Sequence, residues 1–137
     1  MLPSAPQSRG SAQVALTSGR RPLIVNCGAG ENFGLEWRRA GRATPSHSAL
    51  CVEGHSSARL AQPQKGTGHE FLIEPPTEVP IEREDLDDGY RFQGAHDGYA
   101  RHFGVTVARA LELSVDGRMV SGEDMLLALD GAAKKRF

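Results

Sequence analysis

No segment of this chain offers the roughly dozen uninterrupted residues that a crossover helix between parallel strands requires. The best helical candidate, residues 35–40, gives about two turns before Gly41 and Pro45 stop it, because proline disfavours helix in the residue ahead of it. Elsewhere, 16 glycines and 8 prolines divide the 137 residues into short runs. A fold that alternates parallel strands with helices is therefore not expected.

Short alternating runs separated by turn residues predict antiparallel strands instead. The strongest hairpin signal joins residues 105–114 to 118–122 through Asp116-Gly117, a pair that suits a type I′ turn with positive φ at both central residues. A second hairpin is predicted where residues 18–20 separate residues 13–17 from 22–26. The remaining strand-like runs are residues 48–53, 71–73, 78–83 and 90–94, and Pro80 within the third is typical of an edge strand. About eight short strands with little helix favour an all-β fold, an antiparallel β-sandwich.

Composition assigns one domain and excludes two classes of partner. Residues 1–11 are rich in Pro, Ser and Gln without hydrophobic period, which predicts a disordered lead-in before one domain at 12–137. Lys and Arg number 16 against 17 Asp and Glu, so the chain lacks the positive field that nucleic acid requires. The longest aliphatic stretch, residues 23–25, is too short for a signal peptide or a membrane span. We therefore expect no nucleic-acid or membrane partner and, for the chain as given, a cytoplasmic location.

Neither the cysteines nor the histidines form a local metal motif. Cys27 and Cys51 make no CxxC pair, which predicts two reduced, partly buried thiols. No histidine falls in HxxxH or HxH spacing, so a metal site would have to be gathered across strands; the histidines are His47, His55, His69, His96 and His102. His47 is the best candidate, since it stands where a loop enters a strand and has serine on both sides.

The glycine-rich run at residues 28–34 has the outline of a dinucleotide fingerprint. The helix that follows is too short for a parallel crossover, and Glu31 would place negative charge where the pyrophosphate should rest. We interpret this run as a plain loop or as one that shapes a binding cleft. The chain also lacks a Gly-x-Ser-x-Gly elbow, so nucleophilic catalysis is not expected.

Arginine and aromatic side chains are interleaved in two stretches, residues 37–42 and 96–102. Arginine binds carboxylates bidentately and aromatic rings stack on sugar faces, so this mixture suits an acidic saccharide. The predicted contacts are Trp37, Arg38, Arg39, Arg42 and Tyr99. The alternative is a solvated face with one buried tryptophan.

A longer pattern includes Val25-Asn26-Cys27-Gly28, Trp37-Arg38-Arg39-Ala40 and Thr44-Pro45-Ser46-His47-Ser48. It continues through His96-Asp97-Gly98-Tyr99 and Asp116-Gly117-Arg118 and covers most of residues 12–129. This pattern resembles the C-terminal β-domain of heparinase II/III-like polysaccharide lyases.

The resemblance implies a fold and a reaction. In that family a helical toroid packs on a β-sandwich, and β-elimination cleaves a uronic-acid polymer in the groove between them. The base and acid come largely from the toroid, so we expect this chain to be a truncated member, inactive alone, with acidic polysaccharide and a toroid encoded elsewhere as partners. The alternative is a non-catalytic module that binds acidic saccharide or a protein. Exported relatives make periplasm or cell envelope the alternative location.

The resemblance also implies a zinc site in complete family members. His47 matches the last of three ligands, while Asn26 stands at the place of an aspartate and offers only a neutral oxygen. No histidine precedes His47 to supply the remaining ligand. Because protein-bound zinc takes three or four ligands, we expect the site to be incomplete and this chain to hold no zinc.

Overall fold

A four-stranded antiparallel sheet forms the larger part of the structure, a computed structural model that describes residues 13–28, 30–68 and 70–137. Its strands lie in sequence order, β5-β6-β7-β8, and span Ile81–Leu86, Gly89–His96, Val105–Ser114 and Val120–Ala128. The antiparallel all-β prediction is confirmed. The predicted lead-in at residues 1–11 lies outside the described residues.

Two short antiparallel ribbons precede this sheet. One pairs β1 (Leu16–Ser18) with β2 (Arg21–Ile24), as predicted, and the other pairs β3 (Arg59–Leu60) with β4 (Leu72–Glu74). A hollow of about 480 Å³ separates residues 13–16 from the face of the large sheet at Phe92 and Leu111. Residues 13–16 therefore lie beside the four-stranded sheet at the end that carries Tyr90 and Leu113.

The core is small and sits where the connecting segments meet β6 and β7. Its buried hydrophobic residues among those described are Val52, Tyr99, Val105, Val107 and Ala133. Helix α2 (Ala100–Phe103) brings Phe103 against this cluster, and helix α3 (Gly131–Arg136) contributes Ala133. Asp130 caps α3 by accepting hydrogen bonds from the amides of Ala132 and Ala133. In the part of the chain that the structure describes, no helix has both the length and the apolar character to cross a membrane.

Three local predictions are wrong. The connection between β7 and β8 is not a type I′ turn, because of its residues only Gly117 has positive φ and the Ser114 amide bonds to the Met119 carbonyl across a longer loop. Residues 48–53 do not form a strand, since the chain reverses at Glu53 and Gly54, both with positive φ. The strand expected at residues 78–83 begins only at Ile81, after Pro80, although β5 is an edge strand as predicted.

Candidate functional site

Helix α1 (Leu35–Arg42) carries the predicted arginine and tryptophan residues, and the glycine-rich loop determines how it begins. A 3-10 turn, Glu31–Phe33, precedes α1, and Gly34 between them has a φ of 97°. Gly30 has a φ of 67°, and a Cβ there would lie 2.3 Å from the Trp37 carbonyl oxygen. This loop therefore packs against the backbone of α1, and its glycine is required by close approach and conformation.

The aromatic side chain of this helix faces solvent. Trp37 is 66% exposed, so the alternative of a buried tryptophan is wrong. Phe33 and Leu35, just before it in the chain, are also exposed. An exposed aromatic ring with apolar neighbours can stack on a sugar or pack against a protein partner.

Two arginines of α1 are held by one buried carboxylate. Arg39 Nε lies 3.0 Å from Glu70 Oε1, and Arg42 Nη1 lies 3.4 Å from Glu70 Oε2, while the Glu70 side chain is fully buried. Arg39 also approaches Gln62 at 3.4 Å. Sequence reasoning missed Glu70, because nothing in its local sequence distinguishes it from the exposed carboxylates.

Arg38 differs from its two neighbours. Its Nε is buried and lacks a hydrogen-bond partner among the described residues. Arg39 and Arg42 are paired with Glu70, whereas Arg38 forms no ion pair among the described residues, so its positive charge is the one most available to an incoming anion.

Tyr99 does not join this surface. Its side chain is 1% exposed, and its hydroxyl donates to the main-chain carbonyl of His55 at 2.8 Å. Burial raises the pKa of Tyr99 to about 12. The structure thus separates Tyr99 from the other four predicted contacts, all on α1, because the ring fills the core beside Phe103 and His96.

The residues expected at the metal position do not fit zinc. Asn26 Oδ1 accepts a hydrogen bond from the Ser48 amide at 2.8 Å, and its Nδ2 donates to the Val14 carbonyl at 3.1 Å. Both nitrogens of His47 are buried and have no hydrogen-bond partner in the part of the chain that the structure describes, so of Asn26 and His47 only His47 has a ligand atom that is not already hydrogen-bonded. Within residues 13–28, 30–68 and 70–137, no group of three or more His, Cys, Asp and Glu could hold a metal. His69 lies outside these ranges.

A second charged cluster lines a cleft of about 370 Å³ between β3, β4 and α2. Glu74 lies 3.0 Å from His102 Nε2 and 3.4 Å from Arg59, with Arg101 at 3.7 Å. The hydrogen bond from His102 and the nearby arginines lower the pKa of Glu74 despite burial that opposes the shift. Arg101 and His102 belong to the basic and aromatic stretch 96–102 that the sequence indicates. Their contacts with Glu74, which also binds Arg59, form only because β4 pairs with β3 beside α2.

Fold and site together define an antiparallel β-domain with an exposed tryptophan and an arginine-bearing helix on one surface. The family model described as Heparinase II/III-like, C-terminal, matches residues 9–137. The chain belongs to this family, which confirms the resemblance seen in the sequence. Searches of curated proteins and of solved structures found no match.

Proposed function

We propose that this chain is the β-domain of a heparinase II/III-family polysaccharide lyase and that α1 contacts its acidic polysaccharide. Membership of the family supports the lyase relationship. The observation that carries the binding surface is Trp37, which is 66% exposed and lies next to Arg38, an arginine of α1 that forms no ion pair among the described residues. The ring stacks on a sugar, and the guanidinium binds its carboxylate.

The ion pairs of Glu70 give this surface its rigidity. Arg39 and Arg42 point toward Glu70 and so fix α1 against the loop that leads into β4. Their positive charges remain close to the helix surface, where they attract a polyanion over the range of the Debye length. Trp37 and Arg38 then make the direct contacts, and Arg39 and Arg42 position the helix.

Elimination needs a base for the proton next to the uronate carboxylate and an acid for the leaving oxygen. The cluster on α1 contains neither, since tryptophan has no basic group and arginine remains protonated. We propose that a helical toroid supplies both groups and that exposed Phe33 and Leu35 pack against it. This chain alone binds the polymer but does not cleave it.

Affinity electrophoresis through gels that contain a uronic-acid polymer tests the binding surface. Wild type should be retarded, Trp37→Ala and Arg38→Gln should each lose roughly ten-fold in affinity, and added salt should weaken retention. Arg118→Ala is the matched control, because this side chain is 88% exposed and lies in the β7–β8 loop. Equal retardation of the two α1 variants and wild type would contradict the proposal.

A parallel assay tests whether the chain acts alone. The ultraviolet absorbance of unsaturated uronate should not increase when the purified chain is incubated with the polymer. Product that grows in proportion to the chain would show that the base and acid lie within it.

A stand-alone binding module is the second candidate function, and gel filtration distinguishes it from a lyase domain. A domain with an unpaired docking surface associates, whereas a complete module elutes as a monomer.

A further inference from the structure

Three segments distant in sequence meet at Asn26 through a closed set of hydrogen bonds. The Ser48 hydroxyl accepts from the Val14 amide at 3.1 Å and donates to the Val14 carbonyl. The Asn26 side chain donates to the same carbonyl at 3.1 Å and accepts from the Ser48 amide at 2.8 Å. The segment before β1, the segment after β2 and the segment after the Thr44–Ser46 turn are thereby joined.

This arrangement requires an amide at position 26. A primary amide is both donor and acceptor, so one side chain can serve the Val14 carbonyl and the Ser48 amide together. An ionised carboxylate only accepts, and it would set an oxygen against the Val14 carbonyl at about the same separation. A carboxylate that binds a metal and the observed hydrogen bonds therefore exclude each other at this position.

We infer that this junction is closed by the Asn26 and Ser48 hydrogen bonds instead of by a metal ion, so that the fold of this chain is independent of zinc. The inference rests on the donor and acceptor chemistry at Asn26 and stands whether or not α1 binds a saccharide. It assigns Asn26 as a positioning residue that holds Ser48, the residue after His47, together with Val14 in the segment before β1.

Metal content and thermal unfolding of the full chain test this inference. After exposure to zinc chloride and desalting, elemental analysis of wild type should find well below one zinc per chain. A chelator or added zinc should leave Tm unchanged. Stoichiometric zinc together with a Tm that falls on chelation would overturn the inference.

Two substitutions test the amide directly. Asn26→Asp should lower Tm by roughly 3–10 °C, because it removes a donor and opposes two oxygens. Asn32→Asp makes the same chemical change at an exposed position and should leave Tm nearly unchanged. Equal Tm values for the two variants would refute the role of the amide. If Asn26→Asp does not fold, Ser48→Ala provides the same comparison, with a Tm that falls but does not respond to chelator.

Discussion

The Tyr99 hydroxyl donates to the main-chain carbonyl of His55, 44 residues earlier in the chain, at 2.8 Å. The Leu50 carbonyl lies 3.2 Å from the same hydroxyl. These contacts attach the irregular segment between β2 and β3 to the core beside β7. They give Tyr99 a structural role where its neighbours in sequence suggested a sugar contact.

Tyr99→Phe should therefore destabilise the fold without altering polysaccharide retention. Removal of the hydroxyl leaves two main-chain carbonyls without this donor, at a cost of about 1–2 kcal/mol in the free energy of unfolding. Urea denaturation measures the loss, and affinity electrophoresis of the folded variant measures binding. Normal stability combined with lost retention would place Tyr99 in the binding surface after all.

Glu70→Gln should loosen α1. The substitution removes the negative charge that faces Arg39 and Arg42, and the Glu70 side chain has no access to water. Since both arginines are partly exposed, we expect a loss of about 1–3 kcal/mol, below the cost of breaking a fully buried pair. Urea denaturation of Glu36→Gln, an exposed glutamate in the first turn of the same helix, provides the control. Equal stabilities would show that the ion pairs contribute nothing.

Stability should decline as pH falls below about 6.5, the usual pKa of histidine. Burial lowers the pKa of His96, the charge of Arg109 lowers it further, and Asp97 opposes both effects. The folded state thus keeps His96 neutral while the unfolded chain takes up a proton, so the unfolding free energy falls by up to about 1.4 kcal/mol per pH unit.

His96→Asn tests this assignment, because an amide oxygen can replace the Nδ1 that accepts from the Gly98 amide. Urea titrations at pH 7.5 and 5.5 should show a smaller pH dependence in the variant. The carboxylate of Asp97 affects stability in a separate, lower pH range. Burial raises the pKa of Asp97, but hydrogen bonds donated by Thr77 and Glu78 outweigh this effect and hold the pKa below its usual value. The stability that these hydrogen bonds provide is lost only below about pH 4. An unchanged slope between pH 7.5 and 5.5 in His96→Asn would assign the effect to other groups.

The sequence predicted those elements whose signals are local. Asp116-Gly117 predicts the place of the β7–β8 connection, because turn chemistry acts over a few positions. The helix predicted at residues 35–40 begins as expected but ends two residues later, at Arg42, since Gly41 lies within α1. The turn type was wrong because the Ser114 and Asp116 side chains bind amides within a longer loop.

Long-range pairing could not be read in the same way. Glu70 lies 28 residues from Arg42, and Ser48 lies 34 from Val14, so only the folded chain shows that they meet. Residue type alone predicts five saccharide contacts, and the structure places four of them on α1 and the fifth, Tyr99, in the core. At Asn26 the family resemblance indicates only the replacement of an aspartate, whereas the hydrogen bonds of the folded chain show that the amide joins Val14 to Ser48.

Gly30→Ala should disrupt the start of α1 and with it the proposed binding surface. A Cβ at position 30 would lie 2.3 Å from the Trp37 carbonyl oxygen and 2.7 Å from its carbon, and the φ of 67° is itself unfavourable for alanine. Because backbone atoms form the obstacle, the loop or the helix must move, which we expect to cost about 1–3 kcal/mol. Urea denaturation measures that cost, and affinity electrophoresis measures the displacement of Trp37 as weaker retention. Gly28→Ala is the matched control, since among the described residues beyond its chain neighbours no atom lies within 4 Å of a Cβ there, and its φ is not positive. If both variants behave as wild type, the glycine-rich loop does not position α1.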